Sequence, residues 1–249
     1  MIPMDYCTLQ EQQKQFELHE LARQIVVRIE KFGTVEGFAD CDLLEIIKKT
    51  KEILTPLPAL IEVVSPIVVF GDIHGQLGDL MQFIRVVGRP PIRQLLFLGD
   101  YVDRGCNSLE TFCELPLCAS VNRKILCMHG GISPKIESWV SLSEMSKPRV
   151  HAECESGQSV DILWSDPNKK FGDFQVNASR GISCQFGKSS VDRICKNLDI
   201  DLIIRAHQLK MKGHEFEFEH RLLTISRRQT IRDRMAISHR YYFWTSGSL

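Results

Sequence analysis

Two stretches decide the fold: Pro66-Ile67-Val68-Val69-Phe70-Gly71-Asp72-Ile73-His74-Gly75-Gln76 and Gln94-Leu95-Leu96-Phe97-Leu98-Gly99-Asp100-Tyr101-Val102-Asp103-Arg104-Gly105. Each opens with a continuous apolar run, the pattern of a strand buried on both faces, and closes on a short acidic turn. Between them Leu77, Leu80, Met81, Ile84 and Val87 recur at helical spacing, which predicts a helix over 77–87. The unit is strand–helix–strand, so the fold class is α/β. Asp72, His74, Asp100 and Asp103 then emerge at the carboxyl ends of neighbouring strands, the edge where open α/β sheets place their chemistry. Three carboxylates and an imidazole crowded there disfavour one another's charged forms unless a cation neutralises them. The pattern points to a metal site.

Working outward, apolar spacing predicts helices over 8–31 and 42–54, the second stopping before Pro56 and Pro58. Past Gly105 the pattern is irregular: a helix begins at Asn107 and breaks by Pro116. Residues 123–128 read as a strand running into His129-Gly130-Gly131, and 201–207 as another that delivers His207 at its end. A short helix is expected around 139–145, a buried turn and loop start over 160–167, a polar loop over 172–180, a helix over 187–198 and a hairpin over 214–226. After Ser226 the chain turns basic, from Arg227 to Arg234, with no clear period.

Lys+Arg and Asp+Glu both number 31 over 249 residues, so the overall charge offers nucleic acid or an acidic membrane no attraction. The nine cysteines include no Cys-x-x-Cys pair, the usage of reduced thiols in a cytoplasmic or nuclear protein. No run is long enough to span a bilayer, and the first residues lack the features of a signal peptide. Neither a nucleic-acid nor a membrane partner is therefore expected.

Four strand ends thus offer Asp72 with His74, Asp100 with Asp103, His129, and His207. Carboxylates flanked by imidazoles suit divalent Mn, Fe or Zn. On Gly71–Gln76, Leu96–Gly105, Asn107–Thr111, Lys124–Pro134, Leu163–Pro167, Arg180–Gly187 and Asp201–Gln208, the chain resembles the metal-dependent serine/threonine protein phosphatases of the phosphoprotein phosphatase family, closest to the type-1 branch. The resemblance implies a calcineurin-like metallophosphoesterase fold, a central β-sandwich flanked by helices. It also implies hydrolysis of phosphoserine and phosphothreonine by metal-bound hydroxide at a two-metal site. Asp72, His74 and Asp100 would hold the first ion, and Asp100, His129 and His207 the second. Arg104 and Arg180 would clamp the phosphate, work suited to the planar guanidinium fork. Phosphoprotein substrates and regulatory or targeting subunits are the partners implied.

The resemblance divides the chain into an N-terminal helical layer at 1–60, a catalytic domain at 61–226 and a divergent basic tail at 227–249. It also exposes two departures. The family carries a Gly-Asn-His-Glu turn whose asparagine ligates the second metal and whose histidine, oriented by the aspartate matching Asp103, protonates the leaving group. Residues 106–128 do not spell it, as if a block including a sheet strand were removed near 112–115. Asn122 precedes its strand and is expected at the opposite sheet edge, while nothing places His151 near the site. After Ser226 the family's tyrosine loop and further strands are also missing, and neither Tyr241 nor Tyr242 inherits that role. A chain lacking these parts has two functional expectations: a phosphatase, or a catalytically impaired relative that binds regulatory subunits or phosphoproteins. A third possibility is an incomplete product with no stable fold.

Overall fold

The computed structural model describes residues 6–101, 115–148, 153 and 157–226, with residues 6–10 described through their backbone only. Asp103, Arg104, the helix expected from Asn107, His151 and the tail after Ser226 lie outside the described residues. The chain divides into two compact units, Met1–Thr55 and Pro56–Leu249.

The first unit is two helices, α1 (Tyr6–Phe32) and α2 (Asp40–Leu54). Asp40 and Asp42 in the first turn of α2 and Lys51 in its last complement the helix dipole. At the C-terminus the Thr55 hydroxyl donates to the Lys51 carbonyl at 2.8 Å, one residue before Pro56.

The second unit is built on a six-stranded sheet in the order β1-β4-β5-β9-β11-β10. Its strands are β1 (Leu60–Val63), β4 (Cys118–Val121), β5 (Ile125–Met128), β9 (Leu202–Arg205), β10 (His214–Glu217) and β11 (Leu222–Ile225). The β5–β9 and β9–β11 pairings are parallel, whereas β4–β5 and β10–β11 are antiparallel. Strand alternation sends Leu126, Met128, Ile203 and Leu222 to one face and Cys127, Ile204, Leu223 and Ile225 to the other. Both faces are covered. On the first lie α4 (Trp139–Ser143), α5 (Gly157–Trp164) and α6 (Lys188–Leu198), which contribute Leu142, Ile162, Val191, Ile194 and Leu198. Each such side chain contributes about 1.5–3 kcal/mol by leaving water.

Against the second face lies a parallel pair, β2 (Ile67–Phe70) and β3 (Gln94–Phe97), joined by α3 (Leu77–Val87). Ile67, Val69, Leu96 and Leu98 pack onto the six-stranded sheet and complete a sandwich. Among the described residues this second layer holds two strands only. A small three-stranded sheet, β6 (Asp166–Pro167), β8 (Cys184–Phe186) and β7 (Gln175–Val176), borders the helical side. No helix of the described residues is long and apolar enough to cross a membrane.

Two expectations need correction, and two strands were not anticipated. The buried turn expected at 160–167 is helix α5 followed by β6. Ser159, Val160, Asp161 and Ile162 are all buried, so this helix has no polar face to give it a period. The loop at 172–180 contains β7, recruited by pairing to β8. Strands β1 and β4 went unread: Cys118-Ala119-Ser120-Val121 has weak intrinsic strand character and takes its conformation from β1 and β5 on either side.

Candidate metal centre

The parallel register aligns Phe70 with Phe97, so Asp72 and Asp100 leave the sheet at the same edge, two and three residues further on. The turns are then tied together by backbone bonds. The Ile73 and His74 amides both donate to the Asp100 carbonyl, at 2.9 and 2.7 Å, and the Gly75 amide donates to the Tyr101 carbonyl at 2.9 Å. His74 and Asp100 both hold φ of +46°, a left-handed conformation seldom adopted by residues with a side chain.

From the facing sheet, β5 ends into His129 and β9 into His207, which also sits at positive φ (+65°). The Ala206 amide donates to the His129 carbonyl at 3.0 Å and fixes the two strand ends against each other. Gly99 permits the close approach of the layers. A Cβ there would lie 2.7 Å from His129 Nδ1.

Five side chains converge. Ligand atoms of Asp72, His74 and Asp100 lie within 4.8 Å of one another, as do those of Asp100, His129 and His207, and Asp100 belongs to both groups. His74 Nε2 is 3.3 Å from Asp100 Oδ2, and His129 Nε2 is 3.6 Å from Asp100 Oδ1. His129 Nε2 and His207 Nδ1 stand 3.0 Å apart, and the His207 amide donates to Asp72 Oδ1 at 3.2 Å.

Burial sets the protonation states. Desolvation lowers the His207 pKa to about 3, with the fields of Arg205 and Arg180 adding to the effect. Burial also holds His129 well below the ordinary imidazole value. Both rings are therefore neutral near pH 7, the form that ligates metals. Burial raises Asp72, against the opposing His207 amide, so its ionised form lacks compensation without a cation. The buried His129 Nδ1 and His207 Nε2 have no hydrogen-bond partner among the described residues. Carboxylates and neutral imidazoles in this arrangement fit divalent Mn, Fe or Zn.

The depressed histidines carry a stability consequence. Below pH 6.5 the unfolded chain binds protons that folded His129 and His207 refuse, so stability falls as pH drops from about 6.5 towards the folded values. Thermal melts of metal-stripped protein are expected to show a midpoint declining across that window. A flat midpoint would contradict these assignments.

Arg180 is drawn to the same edge, its Nε donating to Asp166 Oδ2 at 2.6 Å and its Nη2 to the His207 carbonyl at 3.4 Å. Sequence reasoning missed the network behind it. Arg205 is fully buried at the end of β9 and donates to the Gly130 carbonyl, to the Ser165 carbonyl at 3.1 Å and to Asp166 Oδ1 at 3.0 Å. Desolvation lowers the Arg205 pKa to about 10, which still leaves it a cation. For Asp166, burial alone would raise the pKa, but the Arg180 hydrogen bond and the neighbouring cations outweigh it and the net shift is downward. The available signal was an arginine closing the apolar run Leu202-Ile203-Ile204-Arg205. Asn122 lies away from the centre as expected, donating to Ser65 Oγ at 2.8 Å beyond the amino end of β2.

Gly130 packs against the end of α5, and its amide donates to the Ile162 carbonyl at 2.7 Å. A Cβ at this position would lie 2.4 Å from the Leu163 carbonyl carbon, a backbone atom that cannot rotate away. Gly130→Ala is expected to destabilise by about 1–3 kcal/mol, the usual range for overpacking, and to displace His129. Chemical denaturation would measure it, and an unchanged midpoint would refute the packing described.

The sequence pattern of the family described as Calcineurin-like phosphoesterase matches residues 65–116 and 106–211. A Caenorhabditis elegans relative named "Putative serine/threonine-protein phosphatase C27B7.6" is 54% identical, over 84% of this chain and 58% of its own length. That alignment runs for 261 positions, more than the 249 of this chain, so the relative carries residues within it that this chain lacks. Serine/threonine-protein phosphatase PP1-delta of Caenorhabditis elegans is 32% identical over 70% of this chain and 74% of its own. Among solved structures, a protein serine/threonine phosphatase from Saccharomyces cerevisiae with similarity to human phosphatase PP5 superposes with a TM-score of 0.70. That likeness covers 83% of each chain at 22% identity, and it shows the shared fold.

Proposed function

Since the chain belongs to the calcineurin-like phosphoesterases and, within them, to the serine/threonine-protein phosphatases, we propose that it hydrolyses phosphoserine and phosphothreonine monoesters at a two-metal centre. The carrying observation is the convergence of Asp72, His74, Asp100, His129 and His207, with Asp100 common to both groups. Divalent ions held there, manganese being our first choice, would polarise the phosphoryl group and activate water. Asp72, His74 and Asp100 would hold one ion, and Asp100, His129 and His207 the other. Neutral imidazoles at His129 and His207 keep their lone pairs available for ligation. Arg180, aimed by Asp166, offers guanidinium donors to the phosphate oxygens, and Arg104 is its partner in the clamp. Asp103 holds the family position that orients the general-acid histidine, a histidine that residues 106–128 do not supply.

Substrates are phosphoproteins delivered by regulatory subunits, and the free thiols Cys41, Cys118, Cys127, Cys184 and Cys195 favour a reducing compartment, cytoplasm or nucleus.

A specific observation favours a second reading, an impaired phosphatase that serves as a binding module. Residues 106–128 lack the Gly-Asn-His-Glu turn, and the alignment longer than this chain supports a block missing from it. The same gap weakens the second metal, which loses an asparagine ligand. To separate the readings, purified protein is assayed for phosphate release from a phosphoserine peptide with Mn²⁺ and then with chelator. Release that requires Mn²⁺ and ends on chelation supports the enzyme. Peptide binding without release supports the module.

A further inference from the structure

Asp161, which the site described above does not use, sits on α5 with 7% of its surface exposed. A buried carboxylate is costly unless its oxygens are well bonded. Here each oxygen accepts from a different hydroxyl: Oδ2 from Ser133 at 2.7 Å and Oδ1 from Ser183 at 2.8 Å. Ser133 lies four residues after His129 and also accepts the Lys135 amide, at 3.2 Å. Ser183 lies three residues after Arg180 at φ of +64°, and its carbonyl accepts the Asn177 amide at 3.2 Å, closing the turn that contains Arg180. Asp161 thus grips the loop behind a metal-ligand candidate with one oxygen and the loop behind a phosphate-clamp candidate with the other.

Helix α5 reinforces this grip. The Ile162 carbonyl accepts the Gly130 amide at 2.7 Å, and Trp164 meets the His207 ring edge-on at 5.4 Å. One short rigid element therefore touches three loops of the centre, the arrangement by which supporting contacts hold functional groups in place.

We propose that Asp161 is a positioning residue that sets the spacing between the metal-binding loop of His129 and the phosphate-binding loop of Arg180, an inference that rests on the function proposed above. The two arms are separable. Ser133→Ala cuts the tie to the His129 loop only, and Ser183→Ala cuts the tie to the Arg180 loop only. Asp161→Ala cuts both. Asp161→Asn keeps both, because its amide accepts from one hydroxyl and donates to the other.

The test uses the full chain, with calorimetric titration of Mn²⁺ into metal-stripped protein and of inorganic phosphate into protein saturated with Mn²⁺. Ser133→Ala is expected to weaken Mn²⁺ binding by about tenfold, as loss of a supporting contact does, with little change for phosphate. Ser183→Ala is expected to weaken phosphate by roughly tenfold, within the coupling range of residues in one hydrogen-bond network, with Mn²⁺ unchanged. Asp161→Asn should stay near wild type in both. Thermal melts of each variant report folding, and the single serine variants decide the matter if Asp161→Ala fails to fold. The inference is overturned if the serine variants match wild type, or if each weakens both ligands in proportion to its lost stability. Wild-type protein that binds neither ligand would instead overturn the function proposed, and this inference with it.

Discussion

Asp100→Asn is expected to weaken Mn²⁺ binding by more than about 100-fold, beyond the 10–100-fold typical of supporting contacts, and to take metal-dependent hydrolysis with it. Among the described residues Asp100 alone belongs to both candidate ligand groups, so a single substitution would damage both ion sites at once. The variant isolates charge from fold. Asparagine has nearly the same shape, and it is among the residues that best tolerate the left-handed backbone found here at φ +46°. The Asp100 carbonyl, which anchors the Ile73 and His74 amides, is untouched. Isothermal titration with Mn²⁺ and an unchanged thermal midpoint in metal-free buffer would together establish the effect. Binding within a few-fold of wild type would remove Asp100 from its bridging role.

The second large effect concerns the leaving group. An alkoxide leaving phosphoserine is a strong base and gains from protonation as it departs, whereas p-nitrophenolate leaves readily without a proton. General acids contribute about 10²–10⁴ in rate. The histidine that would supply that proton in the family has no counterpart in residues 106–128. Relative to a phosphatase that carries the segment, the ratio of kcat/KM for a phosphoserine peptide to that for p-nitrophenyl phosphate is therefore expected to fall by about 10²–10⁴. Parallel assays of this chain and Caenorhabditis elegans PP1-delta under the same Mn²⁺ concentration measure it. Equal ratios in the two proteins would mean that another group here protonates the leaving oxygen.

The elements that carry chemistry were the most legible in the sequence. β2 and β3 are continuous apolar runs and α3 has a clear helical period, and a strand that ends in Gly-Asp announces both its own end and a group to be placed there. His129 and His207 were legible for the same reason, since each follows an apolar run. Their mutual distance was not, because the 3.0 Å approach depends on the parallel pairing of β5 with β9, whose partners are 77 residues apart in sequence. The supporting network was hidden for a related reason. Asp166, Arg205 and Asp161 act through partners 14 to 75 positions away, and no local pattern records such pairs. Helix α5 hid because Ser159 to Ile162, a full turn at its middle, are all buried, and β4 because its neighbours rather than its residues make it a strand.

The roles assigned to Arg104 and Asp103 come from the family resemblance, while the placement of Arg180 beside Asp166 and His207 comes from geometry. Geometry brings Arg180 to the sheet edge where the candidate metal ligands converge.

The most direct test of that centre is the stoichiometry of Mn²⁺ bound to metal-stripped wild-type protein at saturation, read by titration calorimetry. The account predicts two binding events per chain, the second weaker for want of the asparagine ligand. Absence of any binding heat above dilution would contradict it.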